Sequence, residues 1–228
     1  MTTVDFSDLV ERARSLVTSG GPRVVLGITG SPGAGKSTLA EELLAAVRDE
    51  PPSGLPAGEW VAHLPMDGYH LADVELDRLG RRGRKGAPDT FDAHGYASLL
   101  ERVLRETADV VYAPAFERTI EQPIAGSVPV LPAARLVITE GNYLLHDAAG
   151  WRRARAAIRE VWYVDLDEDV RLDRLVARHE RFGKAPEAAR AWVREVDQVN
   201  ADLIAATRGQ ADLVVPSSLV ESLGTPPA

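Results

Sequence analysis

Short unbroken apolar runs recur along the chain at 24–28, 60–64, 109–113, 136–139, 161–164 and 212–215. Their length and β-branched content predict strands buried on both faces. Between them, apolar residues return at helical spacing. Phe6, Leu9, Val10, Ala13, Leu16 and Val17 predict a first helix that Asp5 is placed to cap and Gly20-Gly21-Pro22 to stop. Helices are also predicted from Thr38 onward, over 96–106, over 168–182 and over 186–207. On the last of these Asn200 shares the stripe of Trp192, Val193, Val196, Leu203 and Ile204, which predicts a satisfied buried amide. Residues 51–58 are turn-rich, and 71–96 read as a helix fragment followed by an exposed loop. Four prolines make 114–132 irregular, and the tail after Pro216 is expected to fray. Strands alternating with helices predict an α/β fold, a central parallel sheet of about five strands covered by helices on both faces.

Composition narrows the picture only a little. The 228 residues suit one domain, 1–228, with a small helical lid, and 45% hydrophobic with 26% charged residues is ordinary for a globular protein. No stretch approaches the ~20 apolar residues of a membrane helix, and the first residues lack a secretory pattern, so a cytoplasmic location is expected. A net charge of −8 argues against general nucleic-acid affinity. The basic cluster Arg78, Arg81, Arg82, Arg84 and Lys85 must then serve something local.

The segment Gly30-Ser31-Pro32-Gly33-Ala34-Gly35-Lys36-Ser37 changes the picture most. It matches G-x-x-x-x-G-K-[ST] in full, between a predicted strand and a predicted helix that continues with Thr38. Glycines at these positions let successive backbone N–H groups face a phosphate chain, and the helix aims its positive end at the same anion. Lys36 is then expected on the phosphates and the Ser37 hydroxyl on Mg²⁺, in a site for a nucleoside triphosphate.

Two carboxylates follow other strands. Asp67, before Gly68, either closes a turn or serves as general base for a substrate hydroxyl; Glu140 either ends its strand or orders Mg²⁺ through water, with Asp67 also near the metal. Both lie at strand carboxyl ends, where open parallel sheets bind ligands. On 168–182, Arg171, Arg174, Arg178 and Arg181 are expected on one face, with Leu172, Leu175 and Val176 elsewhere. That face is either solvated or set against transferring phosphate. Arg82, Arg84 and Lys85 either hold an anionic or polyhydroxylated substrate or keep a loop soluble. Tyr69, His70, Glu117 and Arg118 are candidates for the acceptor pocket, and the five histidines show no zinc spacing.

With these residues in place the chain resembles the uridine kinase, phosphoribulokinase and bacterial pantothenate kinase group of P-loop kinases. The matching segments are 30–37, Pro65-Met66-Asp67-Gly68-Tyr69-His70, Lys85-Gly86-Ala87-Pro88-Asp89-Thr90-Phe91-Asp92, Thr139-Glu140-Gly141-Asn142-Tyr143-Leu144-Leu145 and 174–183. The resemblance spans 23–215 and implies a P-loop NTPase fold, ATP and Mg²⁺ as cofactors, and a small-molecule acceptor phosphorylated on a hydroxyl. It implies Lys36, Asp67, Arg174 and Arg178 as catalytic residues, with Gly30, Ser31, Gly33, Ala34, Gly35, Lys36, Ser37, Thr38, Arg174 and Arg178 around the nucleotide. Asp67, Tyr69, His70, Arg84, Lys85 and Arg118 would meet the acceptor, from a substrate-side loop at about 70–95, beneath a lid at about 171–186. His179 stands where the uridine enzymes usually carry aspartate, and Asp67-Gly68-Tyr69 is nearer to the pantothenate pattern. The resemblance implies a nucleoside or related sugar-bearing acceptor first, with pantothenate or a sugar as alternatives, and oligomeric state is left open, a homodimer included. A GTPase-type switch lacks its Asn-Lys-x-Asp segment here, and Asp77-Arg78-Leu79-Gly80 follows no apolar strand. A non-catalytic nucleotide sensor would have no need of Lys36, Ser37, Asp67 and Glu140 together.

Overall fold

The computed structural model describes residues 4–18 and 20–223. Along the chain the elements are α1 (Phe6–Ser15), β1 (Val24–Thr29), α2 (Lys36–Arg48), β2 (Val61–Pro65), α3 (Asp73–Arg78) and α4 (Ala93–Arg105). There follow β3 (Val111–Glu117), β4 (Gln122–Val130), β5 (Leu136–Glu140), α5 (Ala149–Ala156), β6 (Glu160–Val164) and α6 (Glu168–Arg181). The last are α7 (Pro186–Trp192), α8 (Gln198–Ala205), β7 (Leu213–Val215) and α9 (Ser217–Leu223).

Five strands make one parallel sheet in the order β2-β5-β1-β6-β7. Alternate strand residues serve opposite faces, as the pleat requires. Leu26, Ile28, Leu136, Ile138 and Trp162 pack with Leu9 of α1 and Leu39, Leu43 and Val47 of α2. Val25, Val137, Val161 and Tyr163 pack on the other face with Tyr96 and Leu100 of α4 and Trp151 of α5. Asp5 caps α1 in a capping box with Asp8, which satisfies two backbone donors reciprocally. Among the described residues no helix is long and apolar enough to cross a membrane.

Three expectations fail. The run at 109–113 leads into β3, which stands outside the parallel sheet. The proline-rich stretch after it is also ordered, because β3 and β4 pair as an antiparallel hairpin whose register shifts between Ala113 and Ala115. Prolines fit there for a physical reason. Each strand of a two-stranded ribbon has an unpaired edge, and a bulge at Pro114 leaves no ladder bond for its missing N–H to break. Of the tail after Pro216, Ser217–Leu223 form α9, which buries Leu219 and Val220 against the α2 side of the core, and 224–228 lie outside the described residues; seven residues are too few for helical periodicity to be legible.

The helix over 186–207 does form, but α7 and α8 are joined by a π-turn, Val193–Asp197. The extra residue rotates everything after it. Asp197, Asn200, Ala201 and Ile204 therefore face inward, and Leu203, expected on the apolar stripe, is exposed.

Candidate active site

Three strand ends converge because β1 and β2 both flank β5. Glu140, the last residue of β5, is in register with Ile28 of β1 and Pro65 of β2. Below it the Thr139 hydroxyl donates to the Leu64 carbonyl at 2.6 Å and meets the Tyr96 hydroxyl at 2.6 Å, which fixes β5 against β2. Beyond β1 the chain turns through residues 30–35 into α2. Gly35 occupies the N-cap with φ 91°, and a Cβ on Gly33 would come within 2.8 Å of the Leu175 side chain. Only glycine permits that turn and that contact with α6.

Lys36, the first residue of α2, is buried and folds back so that its Nζ donates to the Ser31 carbonyl at 3.1 Å. Burial lowers its pKa to about 8, against the pull of Glu140 and Asp67. Ser37 donates its hydroxyl to Glu140 Oε1 at 3.2 Å. The Glu140 carboxyl is pushed above the usual carboxylate range by burial and then by the neighbouring Asp67. Asp67 itself stands on a 3-10 turn, Met66–Tyr69, directly after β2, with Arg118 Nη2 at 3.5 Å from its Oδ2.

These groups open into one cavity of ≈470 Å³. Of the expected residues it brings together Lys36, Ser37, Asp67, His70, Arg82, Lys85, Arg118, Glu140 and Arg178. His70 lies between the rings of Phe91 and Phe116, with centroids at 4.0 and 4.6 Å, and its Nδ1 meets the Asp67 carbonyl at 2.8 Å. Lys85 Nζ bonds to Asp73 at 2.8 Å and lies 5.2 Å from the Phe116 ring centre. Arg178 enters from α6, and burial followed by the nearby Arg118 charge lowers the pKa of its guanidinium.

Other expected residues stand elsewhere. Gly30, Ser31, Gly33, Ala34 and Gly35 form the loop behind Lys36, and Thr38 is exposed on the first turn of α2. Arg174 lies outside the cavity, its Nη1 3.7 Å from where a Gly35 Cβ would be. Arg171 is buried, contacting the Pro32 carbonyl at 3.5 Å and Gln198 at 2.5 Å, while Arg181 is exposed. The four arginines of α6 keep their helical spacing but meet different surroundings, and Leu175, expected elsewhere, lies beside Arg171. Arg171 and Leu175 are both turned into the protein, because α6 packs on the glycine loop as well as bordering the cavity. Arg84 is exposed and forked onto Asp89 at 2.7 and 2.6 Å. Tyr69 packs on Tyr96 rather than lining the cavity, its hydroxyl pKa raised by burial. Glu117 accepts from Thr119 at the hairpin turn.

Several lining residues lay beyond the sequence reading. Asp73, Phe116, Glu121, Trp192 and Lys184 carried no motif, and Asp197, which holds His179 at 2.7 Å, reaches the cavity through the π-turn. Asn200, expected as a satisfied buried amide, is 5% exposed and lines the cavity, and its amide bonds to no described residue.

The family model of the methylmalonyl-CoA mutase-associated GTPase MeaB matches residues 7–64, the segment from α1 through the glycine loop to β2. A Schizosaccharomyces pombe protein provisionally named a uridine kinase is 33% identical over 205 residues, 88% of this chain and 84% of its own. The Aspergillus versicolor ATP-dependent kinase-like protein notR′ is 35% identical over 162 residues, 67% of this chain and 94% of its own. A Silicibacter sp. TM1040 crystal structure, provisionally called a fructose transport system kinase, superposes with a TM-score of 0.83 at 35% identity. It covers 93% of this chain and all of that one. The Schizosaccharomyces pombe and Silicibacter likenesses, at 88% and 93% of this chain, extend well past residue 64. The chain belongs to the uridine kinase-like family of P-loop kinases.

Proposed function

We propose that this protein is an ATP- and Mg²⁺-dependent phosphotransferase that moves the γ-phosphoryl group of ATP to a hydroxyl of a small metabolite. A nucleoside or a related sugar-bearing molecule is the leading acceptor class, with pantothenate-like and simple sugar acceptors of the same group as alternatives. The observation that carries this reading is the half-buried Ser37–Glu140 contact at 3.2 Å beside Lys36, with Asp67 on the same cavity.

The roles follow from the positions. The loop amides of 31–37 and the N-terminus of α2 receive the phosphates, and Lys36 holds the β and γ groups. Lys36 regains full charge when an anion offsets its burial. Arg178 faces the same space from α6 and neutralises charge on the transferring group. Arg174, beside Gly35, borders the loop from outside and is positioned for the nucleotide rather than for transfer. Asp67 accepts the proton of the acceptor hydroxyl, whose oxygen attacks the γ-phosphorus in line as the bond to the β–γ bridging oxygen breaks and ADP leaves.

The residues fit Mg²⁺. Glu140 is a buried carboxyl whose pKa is raised beside a second carboxylate, and the Ser37 hydroxyl adjoins it. Mg²⁺ is commonly held by one or two carboxylates together with substrate phosphates. Ser37 would bind it directly and Glu140 through water, and it would neutralise charge on the β and γ phosphates. The whole chain would act as one kinase domain in the cytoplasm, with α6 and the residues to 186 as lid and 70–95 as the substrate-side loop.

The test is an acceptor screen with ATP and Mg²⁺ covering nucleosides, pantothenate, and free and phosphorylated sugars, read by ADP release. Stimulation by one class supports the proposal. ADP release that is equal with and without every acceptor makes the protein a simple NTPase.

A further inference from the structure

The turn that presents Asp67 also presents a second hydrogen-bond acceptor. Met66–Tyr69 is a 3-10 turn closed by His70, and in such a turn side chains three apart eclipse one another, so Asp67 and His70 project side by side. Both line the cavity. His70 Nδ1 lies 2.8 Å from the Asp67 carbonyl oxygen. A carbonyl oxygen can only accept, so Nδ1 carries the hydrogen. Burial holds the imidazole below its ordinary pKa, and the Lys85 and Arg118 charges act in the same direction against the opposing pull of Asp67. Nε2 of the neutral ring is therefore a lone-pair acceptor. It bonds to no described residue, and the flanking rings of Phe91 and Phe116 keep the imidazole from turning over.

We propose that the acceptor is a vicinal diol, one hydroxyl held by Asp67 and its neighbour held by His70 Nε2. The inference rests on the phosphotransfer reading and narrows its acceptor class away from nucleosides, towards the sugar-like alternatives. The hydroxyl on Asp67 gives its proton to the carboxylate and forms the new O–P bond as the β–γ bridging bond breaks. The second hydroxyl donates to Nε2 throughout and is not consumed. A nucleoside attacked through its 5′-hydroxyl has a ring ether on the adjacent carbon and no donor there, so it leaves Nε2 unpaired. Polyols, open-chain sugars and hydroxy acids with a second hydroxyl beside the reacting one satisfy both acceptors. Lys85 and Arg118 nearby supply donors for further oxygens of such a molecule.

The test measures ADP release with ATP and Mg²⁺ for glycerol, D-glycerate and D-fructose. Each is paired with the analogue lacking the adjacent hydroxyl: propane-1,3-diol, 3-hydroxypropionate and 5-deoxy-D-fructose. Uridine is run alongside. At least one diol is expected to exceed its analogue, and uridine, about 10- to 100-fold in kcat/KM, the scale of one unpaired buried acceptor. Two variants separate recognition from folding. In H70N the amide nitrogen replaces Nδ1 and keeps the bond to the Asp67 carbonyl but removes Nε2, so the ratio of diol to analogue in kcat/KM should collapse towards one. In H70Q the amide oxygen stands near Nε2, so part of the discrimination should survive although the turn bond is lost. An analogue or uridine used as well as the diols, or discrimination intact in H70N, overturns the proposal. ADP release that ignores every acceptor sinks the phosphotransfer reading itself, and the diol with it. No ADP release under any condition overturns the diol proposal for this panel as well.

Discussion

One side of the cavity comes from a single segment, 30–37, with Pro32, Lys36 and Ser37 on its surface and the glycines behind them, and the opposite wall takes side chains from several separate stretches. His70 comes from the turn after β2, Lys85 from the loop before α4, Phe116 and Arg118 from the hairpin, Arg178 and His179 from α6, and Asp197 and Asn200 from the π-turn and α8. The first wall depends on local conformation, which glycine and the start of a helix supply. The second depends on how distant elements pack. The same phosphate chemistry can therefore persist while acceptor recognition changes, because altering the packed wall leaves the loop alone.

The largest expected effect separates the two walls at their meeting point. Asp67→Asn keeps the size of the side chain and removes its basicity. Turnover should fall at least ~100-fold, the usual scale of general base assistance, with ATP affinity nearly unchanged. Steady-state kinetics and nucleotide titration check this, and unchanged turnover would reassign Asp67 to closing its turn. Lys36→Ala should instead weaken both binding and transfer, since Lys36 belongs to the first wall.

Gly68 tests the packed wall without touching a reacting group. A Cβ there would stand 2.3 Å from the Pro114 carbonyl oxygen, so the turn carrying Asp67 and His70 docks on β3 only because residue 68 has no side chain. Backbone on both sides leaves little room to yield. Gly68→Ala should displace the turn from the hairpin and raise the acceptor KM about tenfold or more, while nucleotide affinity stays within about twofold. A nucleotide affinity that falls equally would show that the walls are coupled.

The same difference explains what was legible in the sequence. The sheet, α6 and the glycine loop could be read because each is a local pattern with its own period or motif. Asp67 and Glu140 were legible as strand ends, since position in a parallel sheet carries meaning. The hairpin was not, because prolines that bar a central strand are harmless in a two-stranded ribbon. Asp197 went unread, and Asn200 was read only as a satisfied buried amide, for another reason. A regular helix leaves Leu203 on the buried stripe, and a single π-turn, with no composition of its own, rotates the following residues and brings Asn200 to the cavity. Arg171 shows the converse: an arginine at helical spacing from Arg178 reads as part of a basic face, whereas packing on the Pro32 carbonyl buries it.

His63 probes the platform beneath both walls. It lies within β2, opposite Ile138, and its buried Nε2 has no partner among the described residues. Burial lowers its pKa to about 4. An unfolded chain protonates histidine near ~6.5, so below that pH the unfolded state binds a proton that the folded state refuses. Stability therefore falls with pH from ~6.5 down to about 4. His63→Leu should remove this loss and raise unfolding free energy at pH 5 by about 1–2 kcal/mol relative to the parent, with little change at pH 8. Urea unfolding at the two pH values measures it. Kinetics left unaltered at pH 8 would show that the strand interior can be improved independently of either wall.

The smallest expected effect distinguishes membership of the packed wall from mere closeness in sequence. Arg84 and Lys85 are adjacent, yet Arg84 is exposed and spent on Asp89, and Lys85 is 13% exposed and enters the cavity between Asp73 and Phe116. An exposed ion pair of this kind contributes about 0–1 kcal/mol. Arg84→Ala should leave kcat/KM within about twofold and the midpoint of unfolding nearly in place. Lys85→Met keeps most of the buried stem and removes the charge, leaving Asp73 with Arg82 alone. It should raise the acceptor KM severalfold at constant kcat. If the two variants behave alike, the loop acts through its summed charge, and the division drawn between adjacent residues by their burial would have no bearing on recognition.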